Sequence, residues 1–156
     1  EYGNGIVTAD EISRLDLRAM KLVVLSSCLN GRSEIHMNKG FQGMVGAFAA
    51  AGAEYVIAHL WDAPDAISTV ILMDTFYYCY VEENMEPPRA LAKAKEYLKT
   101  LSIREMREQG WFDYVRNSQF DVSCKESMEV LEECDDRLRP YRNEMFWGGF
   151  SCYRCN

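Results

Sequence analysis

The chain has 156 residues, of which 48% are hydrophobic and 26% are charged, and these values are typical of one ordinary globular domain. Its formal net charge of −7 argues against a nucleic-acid-binding protein, because such proteins usually carry a basic patch. No apolar run approaches the ~20 residues that cross a bilayer, so the sequence also argues against a membrane-spanning protein.

The first segment predicts a short helix. Thr8 followed by Glu11 forms a capping box, and Ile12 and Leu15 are expected to pack inward from the helix that follows. The chain starts at Glu1 rather than at methionine, which predicts a fragment or a processed product, and no signal peptide is visible.

Residues 21–27 predict the strand around which the chain is organised. The run 22–26 is apolar on both alternating faces, which is typical of a strand that is buried on both sides in a parallel sheet. Functional groups gather at the carboxyl ends of strands in open α/β sheets, and Cys28 follows at that end. Residues 29–39 are polar and predict a loop beside it.

The next segment completes a strand–helix–strand unit. A helix is predicted from Gly40, with several small residues along one side, and Gly52 is a natural stop. Residues 55–61 predict the second strand, which closes a βαβ unit. The segment from Asp62 to Asp65 ends this strand and caps the following helix.

Two further helices are predicted. Residues 66–82 are apolar around most of the helix circumference, so that helix is expected to be largely buried. Pro87 and Pro88 mark the start of a second helix, which continues through 89–101. Its inward positions are Ala90, Leu91, Ala94 and Leu98.

The last third of the chain is more charged. Residues 102–143 contain helical patches at 103–109 and 125–138 and predict a helical insertion or lid within a single domain. Residues 144–153 predict a final strand. The predicted fold is therefore α/β, with helices on both faces of a mostly parallel sheet.

Several segments, in order, resemble the CHAT domains, which are caspase-like cysteine peptidase domains often joined to tetratricopeptide repeats. The segments that carry this resemblance are TADEISRLDL (8–17), LVVLSSCLNG (22–31), GFQGMVGAFAAAGA (40–53), VIAHLWD (56–62), FY (76–77) with RAL (89–91), and FWGGF (146–150). The resemblance covers nearly the whole chain except 102–143. It implies a caspase-like three-layer sandwich that lacks its first strands.

The resemblance also implies a cysteine endopeptidase that cleaves a protein or peptide under the control of a partner, ligand or tetratricopeptide-repeat region. Cys28 is the expected nucleophile, and the alternative is that it is a buried apolar cysteine. In the family the catalytic histidine lies on a strand before this segment. We transfer its role to neither His36 nor His59, so a residue outside the chain is expected to complete the dyad.

A pocket for a basic side chain is a second expectation. The segment from Trp61 to Asp65 is similar to a stretch of separases in which an aspartate contacts the basic residue before the cut. Asp62 and Asp65 are therefore candidate substrate-binding residues, although Asp65 alternatively serves as a helix cap. Ser26 is a candidate for the pocket floor, and His59 either lines the pocket or is a core histidine. Trp61 is expected in the core, and the alternatives are a substrate platform or both roles together.

No metal or cofactor is expected. Cys152 and Cys155 form half of a tetrahedral site, and no second pair with suitable spacing follows. The glycines at 40, 43 and 46 do not form a phosphate loop, because no Gly-Lys-Ser/Thr sequence follows them. A flavodoxin-like or nucleotide-binding domain is therefore the least favoured alternative.

The six cysteines are scattered through a chain of full domain size, which favours a reducing, cytoplasmic setting over a disulfide framework. The main alternative function is a catalytically inactive CHAT-like interaction module in a signalling complex, because fold alone does not determine activity.

Overall fold

A computed structural model describes residues 7–25, 40–61, 66–120 and 122–155. The described helices and strands are α1 (Ala9–Ser13), β1 (Leu22–Leu25), α2 (Gly40–Ala51), β2 (Tyr55–His59), α3 (Ala66–Tyr77), a π-helical turn (Tyr78–Glu82), α4 (Pro87–Thr100), α5 (Ile103–Glu108), α6 (Trp111–Asn117), α7 (Val122–Glu132), a 3₁₀ turn (Glu144–Phe146) and β3 (Phe150–Arg154). The chain divides into two compact units, Glu1–Asp62 with Phe150–Asn156, and Ala63–Gly149.

The first unit contains a mixed three-stranded sheet, in the order β1-β2-β3 among the described strands. β1 and β2 are parallel, with Val23 opposite Val56, and α2 lies between them in the chain. This confirms the predicted βαβ unit. β3 is antiparallel to β2, with Cys152 opposite Ile57, so the described sheet has one parallel and one antiparallel pair.

Burial differs between the two parallel strands. All five residues of β2 are buried, as expected for the middle strand of the described sheet. Leu22–Leu25 are only half-buried, so the prediction of a strand buried on both sides was wrong for β1. Among the described strands β1 has a neighbour on one side only, which leaves part of its surface uncovered.

For the N-terminal helix, the predicted cap is confirmed, but only one of the two residues expected to pack inward does so. The Thr8 side chain accepts a hydrogen bond from the Glu11 N–H, and the Glu11 carboxylate accepts one from the Thr8 N–H, so the capping box is present. Ile12 is buried, whereas Leu15 is 52% exposed and was wrongly expected to pack inward. The reason is that α1 ends at Ser13, so helical spacing no longer places Leu15 on the face of Ile12.

The second unit begins with the helix α3, and the burial of its side chains changes along its length. Ile71 and Phe76 of α3 are fully buried, but Tyr77 and Tyr78 are exposed. The prediction that 66–82 is largely buried was therefore wrong for its second half. From Tyr78 the chain forms a π-helical turn, whose longer hydrogen-bonded repeat rotates the following side chains relative to those of an α-helix.

The helix α4 starts at Pro87 and confirms the predicted boundary. Its four predicted inward residues, Ala90, Leu91, Ala94 and Leu98, are all buried. Beyond it, α5 lies within the first predicted helical patch, and α7 overlaps the second but begins at Val122 and ends at Glu132. The helix α6 is a further helix that the sequence did not indicate. That these helices form an insertion stays a prediction.

The final strand is shorter than predicted. Strand geometry covers only Phe150–Arg154, whereas Glu144–Phe146 forms a 3₁₀ turn. The Asn143 side chain accepts a hydrogen bond from the Met145 N–H at 3.0 Å and thereby caps this turn. Among the helices that the structure describes, none is both long and apolar enough to cross a membrane.

Candidate functional site

The candidate site is framed by the carboxyl ends of β1 and β2. The two strands run in the same direction, and Leu25, the last residue of β1, lies opposite Ala58 in β2. Both strands therefore end at the same edge of the sheet, within one residue of each other. This is the edge at which parallel α/β sheets usually place functional groups.

The chain reaches the surface directly after β2. His59, the last residue of that strand, is 8% exposed, whereas Leu60 and Trp61 are 52% and 45% exposed. The expectation that Trp61 is a core residue was therefore wrong, because it lies two residues beyond the end of the buried strand. The segment that leads to Asp62 thus leaves the core at this edge of the sheet.

Most of the predicted site residues lie outside the described part of the chain. These are Ser26, Cys28, His36, Asp62 and Asp65. Their roles stay predictions. The described structure shows where the two segments that carry them begin. Leu25 is the last described residue before Ser26 and Cys28, and Trp61 is the last described residue before Asp62 and Asp65.

His59 is the one predicted substrate-binding residue within the described structure. It is buried, and its ring contacts the ring of Phe150 edge-on, at an interplanar angle of 68°. The antiparallel register explains this contact, because His59 and Phe150 lie opposite each other in β2 and β3. Such a contact is expected of a histidine in the core. A role of His59 in substrate binding stays a prediction.

Three of the described cysteines, Cys79, Cys152 and Cys155, are poor nucleophiles in comparison with an activated thiol. Burial raises the pKa of Cys152 to about 11, and the neighbouring Cys155 adds to this shift. Burial also raises the pKa values of Cys155 and Cys79. Because the thiolate is the reactive form, these three side chains stay protonated and slow to react at neutral pH.

A metal site at Cys152 and Cys155 would need further ligands. Within the described residues there is no group of three or more His, Cys, Asp or Glu side chains that could hold a metal ion. Cys152 and Cys155 are both free thiols, and a single pair provides two of the four ligands of a tetrahedral zinc site.

The second unit contains a cavity that the sequence analysis did not anticipate. It has a volume of about 290 Å³. Asp74 with Tyr78, and Lys93 with Tyr97, contribute to its wall, and each pair is four residues apart. That spacing places two side chains on the same side of a helix, and it is the one trace of the cavity in the sequence. It does not show which helix faces pack against each other.

Comparison with known families identifies one match. The family model of the CHAT domain matches residues 2–154, which is nearly the whole chain. No curated protein and no solved structure matches the chain.

Proposed function

This chain belongs to the CHAT domain family, and on that premise we propose that it is the part of a caspase-like cysteine endopeptidase that carries the nucleophile Cys28. Family membership supports a peptidase-related domain. The finer proposal concerns the identity of the nucleophile, the substrate class and the fold. We propose the caspase-like three-layer sandwich, and the parallel pairing of β1 with β2 around α2 supports it.

The observation that carries this proposal is the common edge at which β1 and β2 end. Cys28 follows the last residue of β1 by three positions, and three residues of extended chain span at most about 11 Å. Asp62 follows His59 by three positions as well. The two proposed groups therefore start from adjacent strand ends, which favours their acting on one substrate.

The proposed reaction is hydrolysis of a peptide bond. An imidazole takes the proton from the Cys28 thiol, and the sulfur attacks the carbonyl carbon to form a C–S bond. The C–N bond then breaks, and the departing amine takes the proton from the imidazolium. Water hydrolyses the thioester, which releases the carboxylic acid and restores the thiol. The backbone N–H of Cys28 is a candidate donor to the oxyanion.

We assign the imidazole to neither histidine of the chain. His36 lies outside the described residues, and His59 is buried against Phe150. The family resemblance implies a histidine on a strand that precedes the Cys28 segment. A protein that includes that strand would supply the complete dyad.

For specificity, we propose a pocket that binds an arginine or lysine side chain before the scissile bond. Asp62 is the proposed carboxylate, and Ser26, His59 and Asp65 are proposed to line the same pocket. A carboxylate in a pocket recognises a basic side chain by charge-assisted hydrogen bonds. The surface position of Trp61, immediately before Asp62, supports access to this pocket.

We further propose that a tetratricopeptide-repeat region or another partner controls the peptidase, and that the protein acts in the cytoplasm. Among the described cysteines, Cys79, Cys134, Cys152 and Cys155 are free thiols, which supports a reducing compartment.

The test uses the full-length natural protein and an acyloxymethyl ketone with arginine next to the reactive carbon. We expect this probe to modify Cys28 at neutral pH, and mass spectrometry of the digested protein identifies the modified thiol. Cys28→Ala should abolish modification. Cys152→Ala is the matched control and should leave it unchanged, because the raised pKa of Cys152 keeps that thiol protonated.

The alternative is a catalytically inactive interaction module. If Cys28 reacts no faster than Cys152, the nucleophile proposal is wrong and the interaction module becomes the better description. The same result would leave family membership untouched, because that rests on the sequence match.

A further inference from the structure

The cavity in Ala63–Gly149 has the composition of a binding site. Its volume of about 290 Å³ is close to the lower limit of ~300 Å³ for small-ligand pockets. Its lining combines three aromatic rings with polar and charged groups, from Asp74, Tyr78, Lys93, Tyr97, Gln109 and Trp111. All of them belong to the second unit, so this site is independent of the role of Cys28.

Hydrogen bonds hold two of the aromatic rings in place. The Trp111 Nε1–H donates to the Tyr97 hydroxyl oxygen at 3.2 Å, and the Tyr97 hydroxyl donates to the Gln109 side-chain oxygen. Trp111 also packs edge-on against Tyr114, with ring centroids 5.8 Å apart. The rings are therefore preorganised, and a ligand would not need to order them.

The third ring lies at an irregular point in the backbone. Tyr78 is the first residue of the π-helical turn that follows α3, and it is exposed. Turns of this kind interrupt an α-helix at an energetic cost and are often found at functional sites. Asp74 precedes Tyr78 by four residues, so both lie on the same side of the helical segment and both contribute to the cavity.

The charges around the cavity leave one carboxylate uncompensated. Lys93 Nζ binds both carboxylate oxygens of Glu83, at 2.8 and 2.6 Å, so the lysine charge is already neutralised. Asp74 makes no hydrogen bond or ion pair with any residue in the described part of the chain. Burial raises the pKa of Tyr97, and the negative charges of Glu105 and Asp74 contribute to that shift. The hydroxyl of Tyr97 is therefore neutral at physiological pH, and two carboxylates lie close enough to act on it.

We infer that this cavity binds the guanidinium group of an arginine side chain presented by a protein partner. A guanidinium cation is attracted to the faces of aromatic rings, and its planar shape allows it to stack on them. It also donates paired hydrogen bonds to a carboxylate such as that of Asp74. A quaternary ammonium group lacks these donors, and a lysine ammonium is more strongly hydrated. The net charge of −7 favours approach of a basic partner.

The experiment is a titration of the complete chain with N-acetyl-arginine amide, followed by the indole N–H resonance of Trp111 in two-dimensional NMR spectra. Three probes of similar size serve for comparison: the amides of N-acetyl-citrulline, N-acetyl-lysine and N-acetyl-trimethyl-lysine. Citrulline has nearly the shape of arginine without its charge. We expect a saturable shift with arginine, a weaker one with lysine and none with citrulline.

Variants test the role of the carboxylate. Asp74→Asn preserves the shape of the side chain and should weaken arginine binding about fivefold, as expected for a partly exposed ion pair. Asp113→Asn is the matched control, because Asp113 is exposed, pairs with Arg116 and does not line the cavity. It should leave arginine binding unchanged.

Three results would overturn the inference. Equal binding of citrulline and arginine would show that charge is not recognised, and undiminished binding by Asp74→Asn would exclude the carboxylate. Tighter binding of trimethyl-lysine than of arginine would reassign the cavity to quaternary ammonium groups. Because Asp74 is exposed, its substitution is not expected to disturb folding, and the dispersion of the NMR spectrum checks this directly.

Discussion

Leu25 in β1 lies opposite Ala58 in β2, so the two parallel strands end at the same edge of the sheet. This relationship connects the proposed nucleophile to the proposed specificity residue. Cys28 comes three residues after Leu25, and Asp62 comes four residues after Ala58. Extended segments of those lengths span at most about 11 and about 14 Å, which is compatible with the proposal that both side chains act on a single bound peptide.

The first prediction concerns Asp62→Ala. Removing a carboxylate that binds a basic side chain should lower kcat/KM for substrates cleaved after arginine or lysine by about 10- to 100-fold. The free energy of unfolding should change little, because the residue follows the exposed Trp61. Peptide hydrolysis by the full-length natural protein measures the first quantity, and urea unfolding measures the second.

Asp113→Ala is the matched control for this variant, since Asp113 is an exposed carboxylate on α6. It should leave kcat/KM unaffected. Unchanged turnover of basic substrates by Asp62→Ala would eliminate the pocket proposal, while the role of Cys28 would stand on its own test.

The second prediction concerns the pH dependence of Cys152. Burial raises its pKa from 9.0 to about 11, so at pH 7 the thiolate fraction is on the order of 10⁻⁴. Alkylation of the folded protein should therefore be slow at pH 7 and should increase about tenfold per pH unit up to about pH 11. Peptide mapping after timed exposure to iodoacetamide gives this rate for Cys152 separately from the other thiols.

The same shift has a consequence for stability. Because the folded-state pKa is the higher one, the contribution of the protonated Cys152 thiol is fully present below about pH 9 and is lost as the pH rises towards 11. Cys152→Ser should reduce this loss of stability at high pH. A midpoint near pH 9 for alkylation of the folded protein would show that the Cys152 thiol is solvated and that burial does not raise its pKa.

The local signals in the sequence were sufficient for the first sheet pair. An apolar run, a helix with a glycine at its end and a second apolar run predict β1, α2 and β2, because each signal depends only on neighbouring residues. The antiparallel pairing of β3 with β2 depends on residues nearly a hundred positions apart, such as Ile57 and Cys152. No local pattern carries that information.

Local patterns are similarly limited in what they show about the candidate peptidase site and the cavity of the second unit. Cys28 and Asp62 were proposed because motifs can be recognised in a sequence, and their geometry lies outside the described residues. The cavity with Asp74, Tyr97 and Trp111 was not found, because it arises where separate helices pack together. Helical spacing shows which side chains share a face but not which faces meet.

The third prediction concerns the N-terminal cap of α5. The Ser102 hydroxyl accepts a hydrogen bond from the Glu105 N–H at 3.3 Å, and the Glu105 carboxylate accepts one from the Ser102 N–H at 2.8 Å. Ser102→Ala should lower the free energy of unfolding by about 1 kcal/mol. Ser127→Ala is the control, because the Ser127 hydroxyl donates to the Ser123 carbonyl within α7 and caps no helix start.

The cap also predicts a dependence on pH. Hydrogen bonds from the Ser102 side chain and backbone lower the pKa of Glu105 below its ordinary value of 4.5. The contribution of the cap to stability is therefore present above about pH 4.5 and is lost as the pH falls through the lower folded-state pKa. Urea unfolding at neutral and acidic pH should show a smaller acid effect in Ser102→Ala than in the unmodified chain. Equal acid effects would contradict this role of the cap.

The fourth prediction compares two glycines of the first unit. Gly52 ends α2 with φ of +103°, and a Cβ atom at this position would lie 2.7 Å from Arg18 Cγ and 3.1 Å from the Arg18 backbone nitrogen. Gly52→Ala should therefore lower the free energy of unfolding by about 1–3 kcal/mol, through backbone strain and this contact. Gly43 lies inside α2, and a Cβ atom there meets no atom of the described residues within 4 Å. Gly43→Ala should raise the free energy of unfolding by about 1 kcal/mol, because alanine favours the helix. Thermal and urea unfolding of the two variants measure both effects. If the free energy of unfolding changed in the same direction in both variants, strain at Gly52 would not be what distinguishes the two glycines.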